Sequence, residues 1–265
     1  MPETNDLADP LFEAVHEDAV GGRFRPTDAA RGPWGDFLSG MAICGILARE
    51  VERCHGDPVL QPSRLTIDLY RPTPVTTVEI ETRVVRDGRR LRTVDADLVA
   101  DGASCARASC VLLRRGDEPP GSFWSPEDWN VAAPETIAPT ADGPDWIRPI
   151  DGRMDTLDQR RAWFCRDAQL VRSVENTPFV RVALSSDFAS PFALHSDVGL
   201  FYINSDITLN IHRLPAGDWI GFEVASAGAT DGVAVGNCFL YDSSGRIGSV
   251  VMGALAQQHP AQPKR

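Results

Sequence analysis

The chemistry this chain offers centres on one carboxylate. Asp206 opens the run Asp206, Ile207, Thr208, Leu209, Asn210, Ile211, His212, Arg213, Leu214, Pro215, in which apolar and polar residues alternate. A carboxylate at the start of a half-buried strand is either a base or orienter for water, or a strand-end acceptor of backbone and Arg hydrogen bonds. His212 is no partner for it. Six residues along an extended chain put the two on one face but roughly 20 Å apart. The sequence Gly-x-Ser-x-Gly is absent, which disfavours a serine nucleophile. Two arginines at strand ends, Arg71 before Pro72 and Arg213 two residues before Pro215, are candidates for meeting phosphates, or for pairing with the many acids. Between Gly35 and Gly40, Ser39 and the two glycines precede a helical pattern, where free N–H groups and a positive dipole end would let a polar carbonyl approach.

The run around Asp206 has a twin. Arg64, Leu65, Thr66, Ile67, Asp68, Leu69, Tyr70, Arg71, Pro72 aligns so that Thr66, Ile67, Leu69 and Arg71 fall on Thr208, Leu209, Ile211 and Arg213. At the place of Asp206 the first copy has Arg64. Around each copy the same plan is legible. Residues 37 to 54 recur apolar at helical spacing, and strands are expected over 64–71, 78–86, 89–100 and 104–114, with turns at Asp87-Gly88 and Asp101-Gly102. In the second half, Thr177 and Pro178 announce a helix over 178–187. Strands are expected there over 163–172, 206–213, 219–227, 233–241 and 247–257, with turns at Asp231-Gly232 and Ser244-Gly245. A strand or turn pair is expected between Phe12 and Phe24. The domains expected are 1–115, a Pro- and Trp-rich linker 116–150 pinned to the surface by Trp124, Trp129 and Trp146, and 151–265.

Composition narrows the function classes. The net charge is −11 over 265 residues, with Arg in place of Lys almost throughout, and this argues against a nucleic-acid partner. No apolar run approaches the length of a membrane span, and the first residues lack the features of a signal peptide, so a cytoplasmic location is expected. The six cysteines lack paired metal or redox spacing and read as reduced, mostly buried thiols. No metal and no cofactor are expected.

A long helix wrapped by an antiparallel sheet, duplicated through a Pro-rich linker, resembles the double hotdog of the acyl-CoA thioesterase II family, an α+β fold. Asp206 followed by His212-Arg213 is similar to that family's strand in which a catalytic Asp precedes His-Arg. The resemblance implies hydrolysis of an acyl-CoA thioester by a water held by an Asp, a hydroxyl and a Gln, in a groove between the halves, with a homo-oligomer expected. Residue by residue, it gives the Asp role to Asp206 and the hydroxyl role to Ser226 or Thr230. Gly35, Ser39, Gly40, Arg71 and Arg213 fall to the substrate. The family's Gln falls on Met252 or Gly253, neither of which orients water. That departure keeps a second implication open, a non-catalytic acyl-CoA-binding protein, and a third, a structural subunit.

Overall fold

A computed structural model describes residues 9–125, 129, 131–140, 144–151, 156–166 and 168–261. The chain begins with a hairpin, β1 (Phe12–Glu17) and β2 (Gly21–Pro26), followed by α1 (Gly40–His55). Strands β3 (Leu60–Leu69), β4 (Val78–Asp87), β5 (Leu91–Ala100) and β6 (Ala103–Arg114) form a meander. After the connecting segment come β7 (Ile147–Asp151) and β8 (Arg161–Phe164), then the helices α2 (Pro178–Ser186) and α3 (Ala189–Leu194). The chain closes with β9 (Tyr202–Asn204), β10 (Asp206–Ile211), β11 (Ile220–Thr230), β12 (Val233–Asp242) and β13 (Gly245–Ala256).

All strands join one antiparallel sheet in the order β1-β2-β4-β5-β6-β3-β10-β13-β12-β11-β8-β7, with β9 pairing beside β10 on β13. Outward from the β3–β10 seam the two halves repeat each other strand for strand. At the seam Leu65, Thr66 and Ile67 lie opposite Leu209, Thr208 and Ile207. The Thr208 hydroxyl reaches the Thr66 hydroxyl at 3.3 Å. The internal duplication therefore has a local twofold whose axis runs between those two threonines. Asp101-Gly102 and Asp231-Gly232 are matching tight turns, all four residues at positive φ (50°, 75°, 52° and 79°), which lets two residues reverse each strand pair.

Helix α1 starts where its cap permits. Ser39 accepts from the Ala42 N–H, and Arg53 and His55 in the last turn suit the negative dipole end. The start at Gly40, not residue 37, follows because residues 37–39 are held extended: Leu38 N–H donates to the Thr73 carbonyl and Ser39 N–H to that of Ala30. Ala42 to Ala48 are all buried. A Cβ at Gly45 would come 2.8 Å from Leu170 Cδ1 and 3.5 Å from Leu184 Cβ, so its small size lets α1 and α2 pack closely. Thr177 caps α2 through the Val180 N–H as expected. One apolar core runs through both halves.

Several expectations are corrected. The strand expected over 163–172 ends at Phe164; beyond it Leu11 and Phe12 take the Gln169 and Leu170 carbonyls through loop contacts. Helix α3 and strand β9 were not read from the pattern. Of the three tryptophans, Trp129 stacks on Tyr241 with ring centroids 4.3 Å apart, and Trp146 meets Phe164 edge-on at 5.4 Å. Trp124 is 85% exposed and pins nothing. No helix is long and apolar enough to cross a membrane among the described residues.

Candidate functional site

The seam opens into a groove. Leu69 N–H donates to the Ser205 carbonyl at 2.8 Å, the last bond between β3 and the β9–β10 segment. Beyond it the strands part, because Tyr70 and Arg71 turn their N–H groups to the Cys105 carbonyl. The gap is a cavity of about 480 Å³ lined by both halves: residues 32–34, 37–40, 43 and 69–73 from the first, and 187, 190, 191, 200, 202–205, 255 and 257 from the second. That volume lies in the range of small-molecule sites, and a mainly aliphatic and aromatic lining suits an apolar chain.

The start of α1 forms one wall. Ala42 N–H is satisfied by Ser39 Oγ and Met41 N–H by the Asp187 carboxylate. Among the described residues, the Gly40 N–H has no acceptor. Asp187 lies at the break between α2 and α3, half-buried in the groove wall. Asn204 Nδ2 donates to its Oδ1 at 3.0 Å. A Cβ on Gly40 would overlap that same Oδ1, so only glycine admits the carboxylate here. Burial pushes the Asp187 carboxyl up from its ordinary value, against the hydrogen bonds from Asn204 and Met41, which act to lower it. Among the described residues no cation pairs with it. The Thr73 hydroxyl is buried in the groove lining without a partner.

Asp206 takes a different position. Pairing of β13 with Asn204 through Ala254, but with Thr208 through Val251, shifts register by one residue at Ser205. That bulge reverses the alternation. Asn204 points to the helices, whereas Asp206 shares its side of β10 with Thr208 and Asn210, opposite the buried Ile207, Leu209 and Ile211. Its carboxylate accepts from Ser205 Oγ at 2.9 Å and Gly253 N–H at 3.3 Å, and a Cβ on Gly253 would lie 2.5 Å from Asp206 Oδ2. Asp206 therefore stands at the outer lip of the groove beside Ser205, which lines it.

The other expected residues divide. Ser39, Gly40 and Arg71 line the groove; Gly35 lies outside it, exposed in the preceding turn at φ 133°. Arg71 is exposed and, among the described residues, has no ion-pair partner. Arg213 is not in the groove. It is held bidentately by the buried Asp242 and donates to the Gly245 carbonyl at 2.9 Å, a structural pair at the other end of β10. Ser226 and Thr230 are exposed on β11, three strands from β10, roughly 14 Å at ordinary strand spacing. Neither can hold a water at Asp206. Met252 is fully buried, its sulfur 2.7 Å from where a Cβ on Gly236 would be. Among the described residues no cluster of His, Cys, Asp or Glu is placed to hold a metal.

Sequence reasoning missed Asp187, Asn204 and Thr73. A signal for Asp187 existed: Phe179, Ala183 and Asp187 recur every four residues, so the acid sits on the stripe that α2 buries.

Two helix-bearing halves sharing a sheet, with an apolar groove at their seam, Asp187 in its lining and Asp206 beside it, define a double-hotdog protein. The chain belongs to the acyl-CoA thioesterase family: residues 30–113 match the acyl-CoA thioesterase N-terminal domain and residues 123–251 the C-terminal domain. Solved structures agree on the fold. A putative thioesterase from Novosphingobium aromaticivorans is 19% identical with a TM-score of 0.70, over 95% of this chain and 100% of that one. The tesB protein of Mycobacterium avium subspecies paratuberculosis is 15% identical with a TM-score of 0.68, over 92% and 96%. An acyl-CoA thioesterase II from Mycobacterium marinum is 15% identical with a TM-score of 0.66, over 92% and 96%. No curated protein matches the chain.

Proposed function

We propose that this protein hydrolyses an acyl-CoA thioester at the seam, with the acyl chain in the groove, the thioester beside the start of α1 and the nucleotide outside near Arg71. The observation that carries the reading is the groove itself: an apolar, two-sided slot lined by the start of α1 and by one carboxylate, Asp187, with Asp206 next to its lining residue Ser205. Thioester hydrolysis needs a water, a carboxylate to hold or deprotonate it, and N–H donors for the oxyanion. The Gly40 N–H supplies a donor. Asp206 at the outer lip, with Ser205 beside it, orients the water, the role the family resemblance gives it. The hydroxyl of Ser205, which lines the groove, takes the place of Ser226 or Thr230.

Met252 favours one alternative. With an apolar, buried side chain where the family's Gln is expected, the same groove suits a protein that binds acyl-CoA without cleaving it. A free-thiol assay over acyl-CoAs of graded chain length separates the two. Thiol release above the uncatalysed rate supports hydrolysis. No release from any acyl-CoA, together with a raised melting temperature in its presence, establishes the binding protein instead.

A further inference from the structure

Resting on the reading just given, in which Asp206 orients the water, we infer that the acyl chain carries a hydroxyl on the first or second carbon after the carbonyl, and that Asp187 selects it by accepting its hydrogen bond. The groove suits an alkyl chain except at one place. Phe37, Leu69, Pro191, Leu200 and Leu255 present apolar surface, yet Asp187 puts a carboxylate into the same lining. That carboxylate is fixed and only partly satisfied. The Asn204 amide donates to its Oδ1 at 3.0 Å and the Met41 N–H donates to it as well, whereas a carboxylate accepts about four hydrogen bonds. The residue is half-buried and lines the groove, so the capacity left over is open to what the groove holds.

The protein does not neutralise this group. From α1 the Cys44 thiol packs near it, itself pushed up first by burial and then by the Asp187 charge. From β9 comes the neutral Asn204, and Arg71 is exposed in another part of the lining. Among the described residues no ion pair reaches Asp187. A plain alkyl chain that fills the groove expels water from the open side of the carboxylate and gives it nothing in return, which makes binding weaker. A hydroxyl restores the bond. It donates to the charged carboxylate and accepts from the neutral carboxyl that burial favours, whereas an ammonium group requires the charged form.

The position of Asp187 sets where the hydroxyl must be. A Cβ on Gly40 would lie 2.1 Å from Oδ1, so the carboxylate stands directly beside the residue whose N–H meets the thioester carbonyl. A hydroxyl one or two carbons beyond that carbonyl reaches it; one far along the chain passes it by. The same closeness ties the preference to the chemistry. An unscreened carboxylate opposes negative charge growing on the carbonyl oxygen, and a hydroxyl bonded to it weakens that opposition.

The test uses acyl-CoAs of one chain length, unsubstituted, 2-hydroxy, 3-hydroxy, 3-amino and hydroxylated at the far end, in a thiol-release assay. The matching non-hydrolysable thioethers are compared by thermal shift. Wild type should favour the 2-hydroxy or 3-hydroxy chain over the unsubstituted one on the order of 10- to 10²-fold in kcat/KM, with no gain from the far hydroxyl. Asp187→Ala should bring that ratio close to one, whereas loss of a merely structural carboxylate would slow all substrates alike. The wild-type ratio is decisive even where Asp187→Ala does not fold. Equal cleavage of all chains, a preference for the amino chain, or a ratio unchanged in folded Asp187→Ala overturns the assignment and leaves the hydrolase reading intact. If no acyl-CoA is cleaved while the hydroxylated thioethers stabilise the protein more than the plain one, the hydrolase reading falls and the role of Asp187 stands.

Discussion

Gly40 and Asp187 leave no space between them for a methyl group: the Cβ that any other residue would carry at position 40 would lie 2.1 Å from a carboxylate oxygen. Alanine would raise helix propensity by up to about 1 kcal/mol, yet the overlap should dominate. We expect Gly40→Ala to lower the melting temperature and to reduce thiol release. The diagnostic measurement is the double variant Gly40→Ala/Asp187→Ala. It should recover stability relative to Gly40→Ala alone, with a coupling of at least about 1 kcal/mol, as expected for residues in direct contact. Additive effects would mean that the two do not share this space in solution.

Asp206→Asn should lower kcat on the order of 10²- to 10⁴-fold with acyl-CoA binding retained, since it removes the carboxylate that holds the water and keeps its size. Steady-state kcat on one acyl-CoA, with thermal shift by the same ligand, checks it; unchanged turnover would make Asp206 a strand-end acceptor.

Arg71→Ala should act on KM. An exposed arginine at the groove mouth, meeting a phosphate of the nucleotide, contributes through a charge-assisted hydrogen bond, and its loss should raise KM about tenfold with kcat nearly unchanged. The difference between variant and wild type should shrink in high salt, which screens an exposed pair. The same substitution at Arg213 should leave KM alone, since that guanidinium is committed to Asp242.

Asp242 tests the sign of a pH effect. Burial alone would raise its carboxyl, but hydrogen bonds from Arg213 and from the Ala216 and Ser244 N–H groups outweigh burial and hold it below the ordinary carboxylate range. A depressed folded-state value stabilises the protein above the ordinary carboxylate range, and that contribution is lost as pH falls through the folded value. Asp242→Ala should therefore cost about 3 kcal/mol near neutral pH by stranding Arg213. Chemical denaturation at neutral pH and in acid should show a smaller gap between variant and wild type in acid.

Gly221 supports the connecting segment. A Cβ there would collide with the Trp129 ring, which sits between Tyr241 and Trp163 at centroid distances of 4.3 and 5.1 Å. Gly221→Ala should release the indole into water. Fluorescence should shift to longer wavelength and become more open to quenching, and an unchanged spectrum would refute the stack.

The duplicated plan was legible in the sequence because its signals are local. Alternation marks strands with one buried face, as in Thr66 to Leu69 and Thr208 to Ile211. Asp101-Gly102 and Asp231-Gly232 supply the positive φ of tight turns, and Ser39 and Thr177 offer hydroxyls to the helix N–H groups that follow. From such signals the repeat and the central helices could be expected, and Asp206 could be marked as an acid without a counterpart; the groove between the halves was implied only by the family resemblance. The disposition of the site was decided only by the tertiary structure. Periodicity assigns a face to a side chain only while register holds, and one inserted residue at Ser205 sends Asn204 inward and Asp206 to the lip. Strand order, not sequence distance, carries Ser226 and Thr230 three strands away and commits Arg213 to Asp242. The closeness of Gly40 to Asp187 depends on how two helices from different halves pack, a long-range fact that no window of neighbouring residues contains.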